Sequence, residues 1–512
     1  MYSFIDFDVL KWRRLEISPS TFSTLPYTTL IMTNPSPIHE NFQEELKTYL
    51  PADQVEQFLT ACRIPLKKSI TINYSKITDK QFQDITKDWG WRLTPTEFVP
   101  ESKTYYIDRD DTDIALGRTF MHEAGYMYIQ EVAASSSAPL TEVKDGDIVL
   151  DMASSPGGKA SQLANMLLDL SIPGLVVTND VNPKRLRQLT HNLNRVWAYN
   201  TAVTRYNGFS FGKNMPNFFD HVLLDAPCSW EGTAYKSDFA LKHRKIEEIN
   251  KIAGTQFQLL VSAIKATKPW GTIIYSTCTI NPYENEVIVS KAKEFFNDDI
   301  QIEAIGSSST ADGLDREGLH FDSKKCSRLR PHIQKTWWFF ICKIRKINPS
   351  KDNYTLPHKL SPKNQFTLNK SKKLQTEANE WIKKSFWFEL DPTKYLLAAS
   401  KEKVYLTTPS FVDIQQNLHC EKVWIPILKT DRIYGFRPTH YLGNILGHLA
   451  KKNVLELTDE QAQAYSEGKN LSLDDLPATG EDWTKNYLMT WRGIWFSRAK
   501  LVDGEWKNKF GK

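Results

Sequence analysis

The sequence predicts an α/β protein: a doubly wound parallel sheet, preceded by a small α/β module and followed by β-rich modules. Three observations carry that expectation. Between about Tyr106 and Arg345, short apolar runs alternate with longer stretches of helical period. A glycine-bearing segment, DMASSPGGKA (151–160), lies between one such run and one such stretch. Beyond residue 376 the pattern changes to short β-like runs rich in Trp and Tyr.

The 512 residues exceed what one core usually holds, so several domains are expected. Residues 1–31 have no clean period, and Met32 precedes TNPSP and an amphipathic stretch, NFQEELKTYL (41–50). Residues 1–31 therefore read as an upstream extension, with Met32 as the candidate natural start. Residues 32–105 read as a small α/β module that includes SITINYSKI (69–77) and the basic pair Lys67 and Lys68. In the core, 106–345, the expected strands are DIVLDM (147–152), LVVTNDV (175–181), DHVLLDA (220–226) and GTIIYST (271–277). The expected helices are 159–170, 183–196 and 243–268. Residues 346–375 read as a basic linker. Two β-rich modules follow, 376–450 and 451–512, with VYLTT (404–408), VWIPIL (423–428) and YLMTWRGIWFS (487–497) as examples of their runs.

Composition excludes some classes. Hydrophobic residues make up 41%, too much for a disordered chain. The run TWWFFICKI (336–344) is too short to span a bilayer and reads as a buried strand, and Trp12, Arg13 and Arg14 are not followed by the apolar stretch of a signal peptide. No membrane association is expected. The six cysteines are scattered, without C-x-x-C pairs or zinc spacing, so free thiols in a reducing cytoplasm are expected and no metal. Net charge is only +5, but it is uneven. Nine Lys or Arg face one acid between Lys343 and Lys373, and six face two from Trp491 to Lys512. Such runs suit either a phosphate backbone or plain solvation.

The chemistry concentrates at strand ends. In a doubly wound sheet, ligands bind outside the carboxyl ends of the strands. Gly157 and Gly158 allow close approach of a ligand to the backbone there. Asp180 ends the next strand, placed either to accept from a ribose diol or to cap the following helix. Asp225 ends a third strand. DAPCSWEGT (225–233) and YSTCTINPYENE (275–286) each put a cysteine just past a buried strand. If those strands are neighbours, Cys228 and Cys278 share one crevice, and either thiol can serve covalent catalysis. The residues alone do not rank the two.

The ordered set DMASSPGGKA, NDVNPKRLRQL, LLDAPCSWEGT and YSTCTINPYENE resembles the NOL1/NOP2/Sun family of RNA 5-methylcytosine methyltransferases. HEAGYMYIQEVAASSSAPL (122–140) resembles the segment that precedes the family's cofactor loop. PLKKSITIN (65–73), PHIQKTWWFFICKIRK (331–346) and LTDEQAQAYSEGKNL (457–471) resemble a bacterial type within it that methylates small-subunit (16S) ribosomal RNA. The resemblance covers roughly residues 32–512. It implies a Rossmann-like methyltransferase core, an N-terminal RNA-binding module and a C-terminal PUA-like RNA-binding domain. It implies S-adenosyl-L-methionine as cofactor and ribosomal RNA, or the small ribosomal subunit, as partner, with the protein acting as a monomer. Ala153, Ser154, Ser155, Pro156, Gly157, Gly158 and Lys159 would hold the methionine part of the cofactor, Asp180 its ribose and Asn207 its adenine side. Asp225 would lie beside both cofactor and cytosine. Cys278 would be the nucleophile and Cys228 its helper in product release, with Lys159 and Lys236 as basic positions near the site.

Two residues depart from the family pattern. Asn207 stands where an Asp is usual, which loses a charge but keeps hydrogen-bonding capacity. Trp230 stands where Gly is usual, and it suits either a stacked base or a packed loop. Trp491, Arg492 and Trp495 interleave charge and aromatic rings, fitting RNA contact or a small barrel's core. The competing functional readings are the same chemistry on tRNA and a non-catalytic RNA binder of ribosome assembly. A DNA methyltransferase fits less well, because that group places its nucleophile in the Pro-Cys motif.

Overall fold

A computed structural model describes residues 40–508 apart from 63, 97–101, 230–245, 307–309, 351–371, 400–401, 416, 424, 473 and 475–485. The expected N-terminal extension, most of the basic linker, Trp230 and Lys236 lie outside the described residues.

Four sheets organise the rest. The first contains β1 (Ser69–Ile72), β2 (Trp91–Pro95), β3 (Thr104–Arg109) and β4 (Met127–Ile129), in the order β2-β3-β1-β4. It crosses the boundary read at residue 105, because β1 is central and takes its second antiparallel partner, β4, from further along the chain.

The large sheet holds β5 (Ile148–Asp151), β6 (Leu175–Asn179), β7 (Thr201–Thr204), β8 (Phe219–Asp225) and β9 (Thr267–Thr277) in parallel. Its order runs β9-β8-β5-β6-β7. The chain therefore moves one way from β5 through β7 and then returns to the other side of β5. The switch point lies between β5 and β8, where ligands bind in such sheets. On the β9 side follow β10 (Ile300–Glu303), β11 (Ala311–Asp312), β12 (Ser327–Leu329) and β13 (Phe339–Lys346), all antiparallel.

These strands read as unbroken apolar runs because helices cover both faces. β5 and β6 are buried at every position. On one face, helix Pro183–Arg195 buries Leu186, Leu189 and Leu193 at helical spacing against helix Gly158–Leu168. Its start is fixed by Asn182, whose side chain accepts from the N–H groups of Lys184 and Arg185, with Pro183 as the first residue. On the other face, helix Ile246–Ala266 packs Leu260, Ala263 and Ile264 against Val222, Ile273 and Phe340.

Helix Lys372–Phe386 begins inside the segment read as linker, because Ala378, Trp381, Ile382 and Phe386 form one buried face. The third sheet has β14 (Leu396–Ala399), β15 (Lys403–Thr407), β17 (Ile425–Asp431) and β18 (Gly435–Pro438). Between β15 and β17, β16 (Lys422–Val423) leaves this sheet and pairs with β7 of the large one. The fourth sheet has β19 (Val454–Glu456), β20 (Leu471–Ser472), β21 (Asn486–Trp491), β22 (Ile494–Val502) and β23 (Glu505–Asn508).

The first, third and fourth sheets share one hydrophobic core. Trp491 stacks on Trp89 with ring centroids 6.1 Å apart, and its Nε1 donates to Asp459 at 2.8 Å. Arg492 bridges Asp88 and Asp459 at 2.7 and 2.5 Å. The Trp495 carbonyl accepts from the Tyr126 hydroxyl at 2.7 Å. The interleaved rings and charge that suited RNA contact are used here to join the module of the first sheet to the fourth sheet. Among the described residues, no helix is long and apolar enough to cross a membrane.

Candidate active site

The loop after β5 crosses the switch point and enters helix Gly158–Leu168. Gly157 caps that helix at φ 106°, and a Cβ there would stand 2.9 Å from Leu189 Cδ1. A Cβ at Gly158 would meet the Tyr128 ring at 3.3 Å. Both positions therefore reflect crowding as well as conformational freedom. A cavity of about 470 Å³ opens beside this loop. It is lined by Asp151, Ala153, Ser154, Ser155, Pro156, Gly158, Lys159 and Asp225 from the core. Ser69, Tyr128 and Gln130 line it from the first sheet, with Lys67 and Lys68 exposed beside them, and Trp337 comes from the turn before β13.

Asp225 ends β8 beside Ser276 of β9. Its carboxylate accepts from Lys159 Nζ at 2.7 Å and Ser276 Oγ at 3.0 Å. Lys159 also lies 5.2 Å from the centre of the Phe339 ring. Asp151 is buried at the end of β5 and accepts from Ser154 Oγ at 2.9 Å. Burial pushes its carboxyl up to about 7, although Ser154 and Lys159 favour the ionised form.

β8 and β9 are neighbours, so the two cysteine loops meet. Cys228 and Cys278 stand with their sulfurs 3.2 Å apart, Cys228 buried and Cys278 partly exposed. What holds the loops together is Glu284, which sequence reasoning did not single out. Its carboxylate, fully buried, accepts from Ser229 N at 3.1 Å, Ser229 Oγ at 2.6 Å and Gln256 Nε2 at 2.8 Å. Gln256 also donates to the Pro227 carbonyl at 2.9 Å. One acid thus fastens the loop after β9 to the loop after β8 and to helix Ile246–Ala266. Behind it, fully buried Arg328 forms a two-pronged pair with Glu286 and donates to the Ile280 carbonyl at 2.9 Å.

Asp180 is buried just past β6. Capping of the next helix falls to Asn182, while Asp180 Oδ1 accepts from Asn182 N at 2.8 Å. Asp180 Oδ2 lies 3.4 Å from Arg185 Nε but has no aligned hydrogen bond. Asn207 is exposed after β7, and its Oδ1 accepts from Phe209 N at 3.2 Å. Ala153–Pro156, Gly158, Lys159 and Asp225 therefore share one cavity, while Gly157 turns away from it toward Leu189. Asp180, Asn207 and the cysteine pair lie at strand ends outside its lining. Trp337, read as part of a buried strand, instead faces the cavity ahead of β13.

Known proteins resemble the chain over most of its length. Residues 138–345 match the family described as 16S rRNA methyltransferase RsmB/F, and residues 38–132 match the N-terminal domain of 16S rRNA methyltransferase RsmF. The ribosomal RNA small subunit methyltransferase F of Vibrio parahaemolyticus is 30% identical, over 92% of this chain and 96% of that one. The chain belongs to the ribosomal RNA small subunit methyltransferase F family. The Erwinia tasmaniensis member is 32% identical over 86% of this chain and 90% of its own. Among solved structures, a methyltransferase homologue from Pyrococcus horikoshii superposes with a TM-score of 0.53 at 27% identity, covering 60% of this chain and 96% of that one. NSun6 from the same organism, with a TM-score of 0.51 at 21% identity, covers 60% of this chain and 98% of its own and shares the fold.

As a methyltransferase of this family the chain uses S-adenosyl-L-methionine. The residues present fit that group. Three buried oxygens around the loop, Asp151 Oδ1, Ser155 Oγ and Asp180 Oδ2, have no hydrogen-bond partner, and the cavity opens beside Asp151 and Ser155.

Proposed function

We propose that the chain methylates carbon 5 of cytosine in small-subunit (16S) ribosomal RNA, with Cys278 as the nucleophile and Cys228 as the residue of product release. The observation that carries this reading is the pair of sulfurs 3.2 Å apart, just past the ends of the neighbouring strands β8 and β9, the first of which ends in the Asp225 that pairs with Lys159. Carbon 5 of cytosine is a weak nucleophile. Addition of the Cys278 thiolate to carbon 6 forms a sulfur–carbon bond and moves an electron pair toward carbon 5. Asp225 would face the polar edge of the ring, and because Lys159 is paired with it at 2.7 Å, charge developing there would meet a preorganised pair. S-adenosyl-L-methionine would supply an electrophilic methyl group to carbon 5, its methyl–sulfur bond breaking to leave S-adenosylhomocysteine. Once carbon 5 is methylated, loss of its proton to a base restores the ring double bond and expels the Cys278 sulfur, with Cys228 in contact to assist.

Ala153–Lys159 would hold the methionine end of the cofactor, Asp180 the ribose and Asn207 the adenine side. The target base must leave its stack to reach such a site. The N-terminal module with Lys67 and Lys68, the basic segment 346–375 and the PUA-like region 451–512 would carry the RNA, with the protein acting as a cytoplasmic monomer. Cys278→Ala is expected to abolish methyl transfer. Cys228→Ala is expected to trap a covalent RNA–protein adduct, visible as a shifted gel band. Activity retained in Cys278→Ala but lost in Cys228→Ala reverses the two roles. Bisulfite mapping of rRNA and tRNA from a deletion strain identifies the substrate.

A further inference from the structure

Gln130 lies just past β4, in the N-terminal sheet, yet its side chain lines the cavity beside the cofactor loop. It is 7% exposed. Its backbone is pinned from both sides by Ser69, through Gln130 N to the Ser69 carbonyl at 3.2 Å and Ser69 Oγ to the Gln130 carbonyl at 2.6 Å. Thr71 Oγ1 donates to Gln130 Oε1 at 3.3 Å, which fixes the amide's orientation. The other end, Nε2, is buried and has no hydrogen-bond partner. It stands 3.5 Å from where a Cβ on Gly158 would be, against the first turn of helix Gly158–Leu168. That helix has no side-chain cap, so its first N–H groups are available to an anion. An unmet buried donor is costly, so its persistence here points to a ligand that meets it.

We infer that Gln130 Nε2 and the N-terminus of helix Gly158–Leu168 together bind the α-carboxylate of the methyl donor. The N-terminal sheet then completes the cofactor site as well as any RNA surface. This rests on the reading that the loop 153–159 holds the amino-acid end of the donor. A carboxylate is favoured over a neutral group because the helix end and the amide offer donors only, and Ser155 Oγ in the same cavity can add a third.

Calorimetry with two ligands tests the inference without turnover. S-adenosylhomocysteine carries the carboxylate, and 5′-methylthioadenosine lacks the whole amino-acid end. Gln130→Leu is expected to weaken S-adenosylhomocysteine binding by roughly tenfold or more, the scale of one lost hydrogen bond to a charged group, and to leave 5′-methylthioadenosine unchanged. Gln130→Glu, nearly the same shape, sets an anion against the carboxylate and is expected to weaken binding further. It also serves if the leucine variant fails to fold. Wild-type selectivity retained in the folded variants overturns the inference alone. Equal loss for both ligands overturns it too, since the carboxylate is then not what Gln130 senses. Wild-type protein that holds both ligands equally overturns the loop reading and this inference with it.

Discussion

Asp151 shows how burial at the switch point sets a side chain's chemistry. Its carboxyl is raised from the usual 3.8 to about 7, chiefly by desolvation. Between those values the folded chain holds a proton that the unfolded chain has released. Stability from this group is therefore lost as pH rises through that window. Asp151→Asn is expected to flatten that decline. Melting temperatures measured below and above the window check it, and an equal drop in variant and wild type refutes it. The residues of the two cysteine motifs were legible because each follows a strand end. Glu284 was not, because an acid among Asn, Pro and Tyr reads as surface. Only the tertiary fold shows that three donors converge on it.

At the scale of elements, Glu284 ties together the loops after β8 and β9. Glu284→Ala takes away the acceptor of Ser229 N and of one Gln256 Nε2 hydrogen, at about 1–3 kcal/mol for each group left unmet. A lower denaturant midpoint is expected, with kcat reduced while S-adenosylhomocysteine affinity holds. Glu284→Gln retains the shape and should recover part of both. An unchanged midpoint together with unchanged kcat removes Glu284 from this role. The buried strands of the large sheet were readable from their apolar runs and the helices between them, since that pattern is local. The membership of β4 in the first sheet and of β16 in the large one was not. Both depend on pairing between distant segments, 70 with 129 and 422 with 203, which no local period encodes.

At the scale of the molecule, the two ends of the described chain share one core around Trp89, Trp491 and Trp506. Trp491→Ala removes a nearly buried ring and is expected to cost about 3–5 kcal/mol. Arg492→Ala breaks an exposed fork and is expected to cost less than about 1 kcal/mol. Denaturation curves for the two variants separate packing from charge as the source of the junction's strength, and a larger effect for arginine refutes that order. Composition had left Trp491, Arg492 and Trp495 open between RNA contact and core, and charge runs alone do not decide such cases. The position of β16 also bears on how the enzyme can be divided. β7 would otherwise present an open row of backbone donors and acceptors, the kind of edge that recruits strands from other molecules. A fragment ending before Lys422 keeps the whole catalytic sheet but uncovers that edge. Such a minimal core is expected to self-associate, and light scattering at rising concentration would show it.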